Sequence, residues 1–193
     1  MRVLTAIKTR WSVRRFKDRK PSMKKLMRVI EAARLSPSGA NRQPLVVVVV
    51  DDLCLKASIR NNCEQADKAW WRKAPAWFRR WAKDEGISLD KEFLTSAPYL
   101  VCVFGDSGAP YWLGSVWISI GYMTLAATEE KLGCLTYTPG DPRFLNSLLR
   151  VPARLRPVAI LPVGYAAEPP RDVRVRRKPL SDLAFLNRYG CAL

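Results

Sequence analysis

The run Leu45-Val46-Val47-Val48-Val49-Val50 constrains the fold more than any other part of the chain. Side chains branched at Cβ lose rotamer freedom in a helix and pack well on a pleated sheet. The run is too short for a stable isolated helix. It is apolar at every position, so both of its faces need covering. The expectation is a central strand of a sheet flanked by helices.

The neighbouring segments extend that reading. Residues 22–35 have helical periodicity, with Met23, Leu26, Met27, Ile30 and Ala33 on one face and Ser22 placed to cap the start. Pro37, Ser38 and Gly39 break the chain before the valines. Residues 53–92, rich in aromatics, read as short helices. Residues 99–104 read as a second strand, 134–138 as a third and 158–164 as a fourth, and 142–150 as a short helix. Residues 107–128 carry no formal charge, yet Gly108, Pro110, Gly114, Ser115, Ser119 and Gly121 interrupt the stretch. It reads as a core or interface helix ending near Gly133, not as a membrane span. Trp70, Trp71, Trp77 and Trp81 are spaced to line a helical face and pack as core, or to form an aromatic lid. Helices and strands alternate irregularly and no repeat is visible. The expected class is α+β, a mixed and mainly antiparallel sheet covered by helices. The 193 residues fit one domain, 1–193.

Composition decides which chemistry is open. The chain has no histidine, which excludes histidine general bases, Ser-His triads and histidine-ligated metals. The five cysteines have no zinc-ligand spacing, so no metal is expected; they read as reduced thiols of a cytoplasmic protein. The net charge of +16 is unevenly spread. Residues 1–42 carry +11, residues 43–142 carry −2 and residues 143–193 carry +7. Basic ends of this kind suit a solvated surface, an anionic small molecule or, less well, nucleic acid.

Two segments place such side chains for one anion. In Arg10-Trp11-Ser12-Val13-Arg14-Arg15-Phe16, two guanidinium groups four residues apart flank a serine hydroxyl, which suits a phosphate. In Ser36-Pro37-Ser38-Gly39-Ala40-Asn41-Arg42-Gln43-Pro44, small residues allow backbone to approach a planar ligand, and Asn41 can read carbonyl and imide edges. Taken together, in this order and before a valine-rich strand, the two segments resemble the opening of nitroreductase-family flavoproteins. Thr136-Tyr137-Thr138-Pro139, Leu161-Pro162-Val163-Gly164-Tyr165 and Arg177-Lys178-Pro179-Leu180 resemble the branch that contains iodotyrosine deiodinase, as does Lys91-Glu92-Phe93-Leu94 followed by Ala97-Pro98. The likeness spans about residues 5–190.

The resemblance implies FMN bound between the subunits of an intertwined homodimer. It places Arg10, Trp11, Ser12 and Arg14 along the phosphate and ribityl side, with Arg177 reaching the same phosphate from a C-terminal arm, 168–193. It places Ser38, Gly39 and Asn41 against the flavin, Thr136, Tyr137 and Thr138 on its other side, and the Thr138 hydroxyl near flavin N5 in the catalytic position. Trp11 stands where relatives often carry arginine. A candidate lid, 60–95, would bring Asp67, Trp71 and Lys91, with Ala40, to the substrate; relatives have glutamate and tyrosine in place of Asp67 and Trp71. The implied activity is reduction of an electrophilic aromatic small molecule, of nitroreductase type, with electrons from NAD(P)H bound transiently. The alternatives are reductive dehalogenation of halotyrosine-like substrates and a non-catalytic basic binding protein.

Overall fold

A computed structural model describes residues 3–170 and 177–192 of the chain. Its elements are α1 (Val3–Thr9), α2 (Met23–Arg34), β1 (Leu45–Val50), α3 (Leu53–Trp71), α4 (Ala76–Asp84), α5 (Phe93–Ser96), β2 (Tyr99–Asp106), α6 (Trp112–Glu129), β3 (Gly133–Cys134), α7 (Phe144–Leu148) and β4 (Leu155–Gly164). The strands form one sheet in the order β1-β2-β4-β3, and every neighbouring pair runs antiparallel. A parallel bridge joins Ser12 to Cys134 at the β3 edge. The architecture is the expected α+β one.

Strand alternation divides the core into two layers. In β2, Tyr99, Val101 and Val103 face α2 and α6, packing with Leu26, Val116, Ile120 and Met123. Leu100, Cys102 and Phe104 face the other way, onto Ile59 of α3, Leu94 of α5 and Leu145 of α7. The valine run splits in the same manner, with Val46, Val48 and Val50 against the second layer and Val47 and Val49 against the first. Burying a side chain of this size fully stabilises the fold by about 1.5–3 kcal/mol. The sheet is therefore covered on both faces, as the all-apolar run requires.

Four local readings need correction. β1 lies at the sheet edge and is only partly buried except at Val50, because β2 takes the central place between β1 and β4. In α2, Leu26, Val29 and Ala33 face the core, whereas Met23 and Met27 are exposed; Ser22 precedes the helix but makes no capping bond through its hydroxyl. Residues 53–71 form a single 19-residue helix, started by Asp52, whose carboxylate accepts the Leu55 amide at 2.7 Å. The third strand is only two residues long; beyond it Tyr137 pairs with Ile160 as an isolated bridge.

The arginine segment before α2 is held extended against the β3 side of the sheet. The Val13 amide donates to the Cys134 carbonyl at 3.1 Å, and the Lys17 amide to the Tyr165 carbonyl at 2.8 Å. Trp11, Val13 and Phe16 turn into the core, which leaves Ser12 and Arg14 partly exposed. The approach is so close that a Cβ on Gly133 would stand 2.5 Å from a methyl of Val13. Among the described residues, no helix is long and apolar enough to cross a membrane.

Candidate active site

An open cavity of about 530 Å³ lies between the end of α3, α4 and the segment following β3. Its walls bring together Arg14, Asp67, Trp71, Lys91, Thr136 and Thr138, all named from sequence alone. These residues come from four separate parts of the chain. The extended arginine segment supplies Arg14, the last turns of α3 supply Asp67 and Trp71, the connection before α5 supplies Lys91, and the post-β3 segment supplies the threonines.

Asp67 and Lys91 form a buried ion pair. Lys91 Nζ lies 3.1 Å from Asp67 Oδ2, with 5% and 11% of the two side chains exposed. The Tyr137 hydroxyl donates to the same carboxylate oxygen at 2.9 Å, and the Gly140 amide donates to Oδ1 at 2.9 Å. Lys91 Nζ also donates to the Ser88 carbonyl at 2.6 Å. Burial raises the Tyr137 phenol well above its ordinary range, with the neighbouring Cys63 thiol and Asp67 carboxylate adding to the effect. Tyr137 therefore stays protonated and donates. Burial likewise raises the Cys63 thiol, so this cysteine is a packed, unreactive group beneath the site. Neither Asp67 nor Lys91 is a solvated loop charge. Breaking such a pair by removing one partner costs about 3–5 kcal/mol, since the other charge is left buried.

A second network ties the cover to α3 below the cavity. Arg60 Nε donates to Glu64 at 2.8 Å, and Arg60 Nη2 to Asp90 at 2.7 Å. The other carboxylate contact of Glu64 is the Lys91 amide, at 2.9 Å. The segment 60–95 thus comprises most of α3, helix α4 and a connection pinned at its base. The four tryptophans do not form one buried helical face, because the turn after Trp71 divides them between two helices. They gather around Phe78, with ring centroids 4.6, 5.6, 5.9 and 5.5 Å from it for Trp70, Trp71, Trp77 and Trp81. Trp77 remains 63% exposed. The aromatic group is the cavity's outer wall. Phe78, its hub, was not singled out from the sequence; the tryptophan spacing was the available signal.

The small-residue loop lies apart from this cavity within one chain. Ala40, Asn41 and Gln43 have φ of 49°, 51° and 47°, an unusual cluster of left-handed residues other than glycine. The Gly39 amide donates to Ser115 Oγ of α6 at 3.1 Å, which fastens the loop to that helix, and within the loop the Gln43 amide donates to Ser38 Oγ at 2.9 Å. A Cβ on Gly39 would stand 2.7 Å from the Tyr111 ring. Ser38 walls a different cavity, against α2 and α6. Arg10 and Trp11 wall a third, of about 180 Å³, with Lys131. Trp11 is 9% exposed and packs into the core rather than presenting a free polar edge. Ser12 holds the backbone bridge to Cys134, and Arg177 is exposed at the resumption of the described tail.

These parts match known proteins over nearly the whole chain. The family model described as the nitroreductase family matches residues 7–165. The chain is 40% identical to an iodotyrosine deiodinase of Thermotoga neapolitana over 162 residues, covering 84% of this chain and 87% of that protein. It is 33% identical to one from Haliscomenobacter hydrossis over 172 residues, covering 82% and 77%. A crystal structure of oxidized iodotyrosine deiodinase bound to FMN and 3-iodo-L-tyrosine superposes with a TM-score of 0.88 at 36% identity, covering 97% of this chain and 98% of that one.

Proposed function

The chain belongs to the nitroreductase family, and from that premise we propose that it is an FMN-dependent oxidoreductase that removes halogen reductively from a phenolic substrate. The single observation that carries this reading is the cavity that joins Thr138 and Arg14 to Asp67, Trp71 and Lys91, in a chain 40% identical to an iodotyrosine deiodinase. That likeness favours the dehalogenase over the general nitroreductase expected first, and an enzyme over a basic binding protein.

The residues present suit FMN. Arg14 on the cavity wall, with Arg10, Ser12 and Arg177, would hold the phosphate, and hydrogen bonds to such a charged group are worth about 1.5–3 kcal/mol each. Trp11 offers one indole N–H at most and adds no positive charge, so three arginines carry the ionic work. The strained loop at Ser38, Gly39 and Asn41 would lie against the ring system of the other subunit, since within one chain it does not line the cavity. The flavin, when bound, supplies the electrons. Thr138 is exposed at the wall and would donate its hydroxyl to the flavin edge. Trp71 would stack on the substrate ring, and Ala40 would approach it from the partner chain. In the reaction two electrons and one proton enter, the carbon–halogen bond breaks, and the products are the arene and halide. NAD(P)H, bound transiently, is the proposed source of electrons.

Purified protein should be yellow. Its anaerobically reduced form should be reoxidised by an iodinated phenol with stoichiometric release of iodide. Reoxidation by a nitroaromatic alone, with no iodide from any iodinated phenol, would return the protein to the general nitroreductase reading.

A further inference from the structure

Residues 68–83 hold six basic side chains and no acidic one, inside a stretch, 43–142, whose net charge is −2. The six, Lys68, Arg72, Lys73, Arg79, Arg80 and Lys83, are all exposed. Elsewhere on the surface Lys20, Arg28, Arg34, Arg143 and Arg154 each meet a carboxylate. Among the described residues, none of the six side chains has an ion pair or a hydrogen bond. Arg79 and Lys83 stand one helical turn apart, a like-charge spacing that destabilises a helix. Such a gathering of cations on one short segment calls for an anionic partner.

The form of helix α4 says which kind of anion. Phe78 and Ala82, one turn apart, point inward: Ala82 is fully buried, and Phe78 gathers the tryptophan rings. The outward positions divide into two sides. Arg79, Arg80 and Lys83 lie along one, and Trp77 and Trp81 along the other. Trp70, Trp77 and Trp81 are 41%, 63% and 44% exposed. Cations beside half-exposed indoles suit the boundary of a bilayer, where basic groups meet phosphate head groups and indole rings enter at the same depth. A single-stranded nucleic acid would need a basic groove and open indole faces. An exposed helix is convex, and Phe78 already packs against the indoles.

We infer that the outer face of α4, with the turn that precedes it, docks on an anionic phospholipid surface. The helix lies on that surface and does not cross it, in keeping with its nine residues. Trp70, Trp77 and Trp81 also wall the candidate cavity. Docking would therefore set the cavity beside the lipid, where apolar aromatic compounds concentrate. It is independent of which acceptor the enzyme reduces.

Co-sedimentation of the full chain, supplied with FMN, with phospholipid vesicles tests this at about 0.1 M salt. Vesicles of phosphatidylcholine with about 30% phosphatidylglycerol should carry the protein down, and vesicles of phosphatidylcholine alone should not. Reversing three charges together, Arg79→Glu, Arg80→Glu and Lys83→Glu, should lower the partition coefficient about a hundredfold. Trp77→Ala, which leaves the charge unchanged, should lower it severalfold. Because the whole chain is basic, the control reverses three exposed charges elsewhere, Lys24→Glu, Arg150→Glu and Arg156→Glu, and should change it by less than about fivefold. Far-ultraviolet circular dichroism checks that each variant is folded; should the triple α4 variant unfold, Trp77→Ala decides alone. No sedimentation with the anionic vesicles, equal sedimentation with both kinds, or unchanged binding by Trp77→Ala would overturn the inference. So would an equal loss in the control, or tighter binding of a single-stranded oligonucleotide through the same α4 residues.

Discussion

Lys91 and Asp67 show how one pair of side chains can be read in opposite ways. The resemblance to the deiodinase branch implies that these two groups, 24 positions apart in the sequence, reach for a ligand. In the fold they neutralise each other, and Tyr137 completes the set. Lys91→Ala should therefore lower stability by about 3–5 kcal/mol, measured by urea unfolding, because it leaves Asp67 buried without its counter-charge. Tyr137→Phe removes one of three donors to the carboxylate and should cost less, about 1–3 kcal/mol. Arg177 belongs to a different regime. It is exposed, so Arg177→Ala should leave stability nearly unchanged while weakening FMN binding by about 1.5–3 kcal/mol, measured by fluorescence titration. Unchanged FMN affinity would show that this guanidinium does not meet the phosphate.

Gly133 opens the two-residue strand β3, and its missing side chain lets residues 11–17 lie against the sheet edge. A Cβ there would meet Val13 carbon atoms at 2.5, 2.8 and 2.9 Å. Val13 is fully buried and its amide is bonded to Cys134, so neither side can yield cheaply. Gly133→Ala should cost about 1–3 kcal/mol through overpacking. It should also displace Ser12 and Arg14 and reduce FMN affinity along with stability. Thermal unfolding with and without FMN checks both: a mutant with lowered stability but a wild-type FMN-induced shift would show that the segment's position does not govern binding. The cover illustrates the opposite case. Its anchor is polar, the Arg60–Glu64–Asp90 cluster, and nothing in the charge pattern of residues 60–90 distinguishes these anchored groups from solvated ones.

Helix α6 presents two unlike faces. Val116, Ile120, Met123 and Ala127 are buried against the sheet, while Leu113, Trp117, Ile118 and Tyr122 stand exposed in a helix free of charge until Glu129. Leu180, Leu183, Leu186 and Tyr189 of the tail are exposed as well. An apolar surface of this extent suits a symmetric contact with a second copy. The separation of the Ser38–Gln43 loop from the cavity within one chain fits the same arrangement, with each flavin site completed by the partner. Sedimentation at micromolar concentration should give a dimer. Ile118→Glu combined with Tyr122→Glu should give a monomer that has also lost FMN. A monomer that retains FMN at wild-type affinity would place the whole flavin site within one chain.

Periodicity and motif order were enough to read the sheet-forming segments, the helices flanking them, the α+β class and the family likeness. They rest on local chemistry, namely branched side chains, turn residues and runs without charge, which act over a few neighbours. Local chemistry marked Arg14 as a candidate, while Thr136, Thr138, Asp67, Trp71 and Lys91 entered through the family resemblance, and the fold brings all six to one cavity. Pairing and order were not legible. β1 became an edge strand because β2 captured both of its neighbours, a choice made by contacts far apart in sequence. Trp11 was read as part of an anion site and lies in the core, since the extended segment turns alternate side chains inward. Whether Asp67 and Lys91 face a ligand or each other depends on where α3 ends relative to the chain before α5, a relation between segments that only packing fixes.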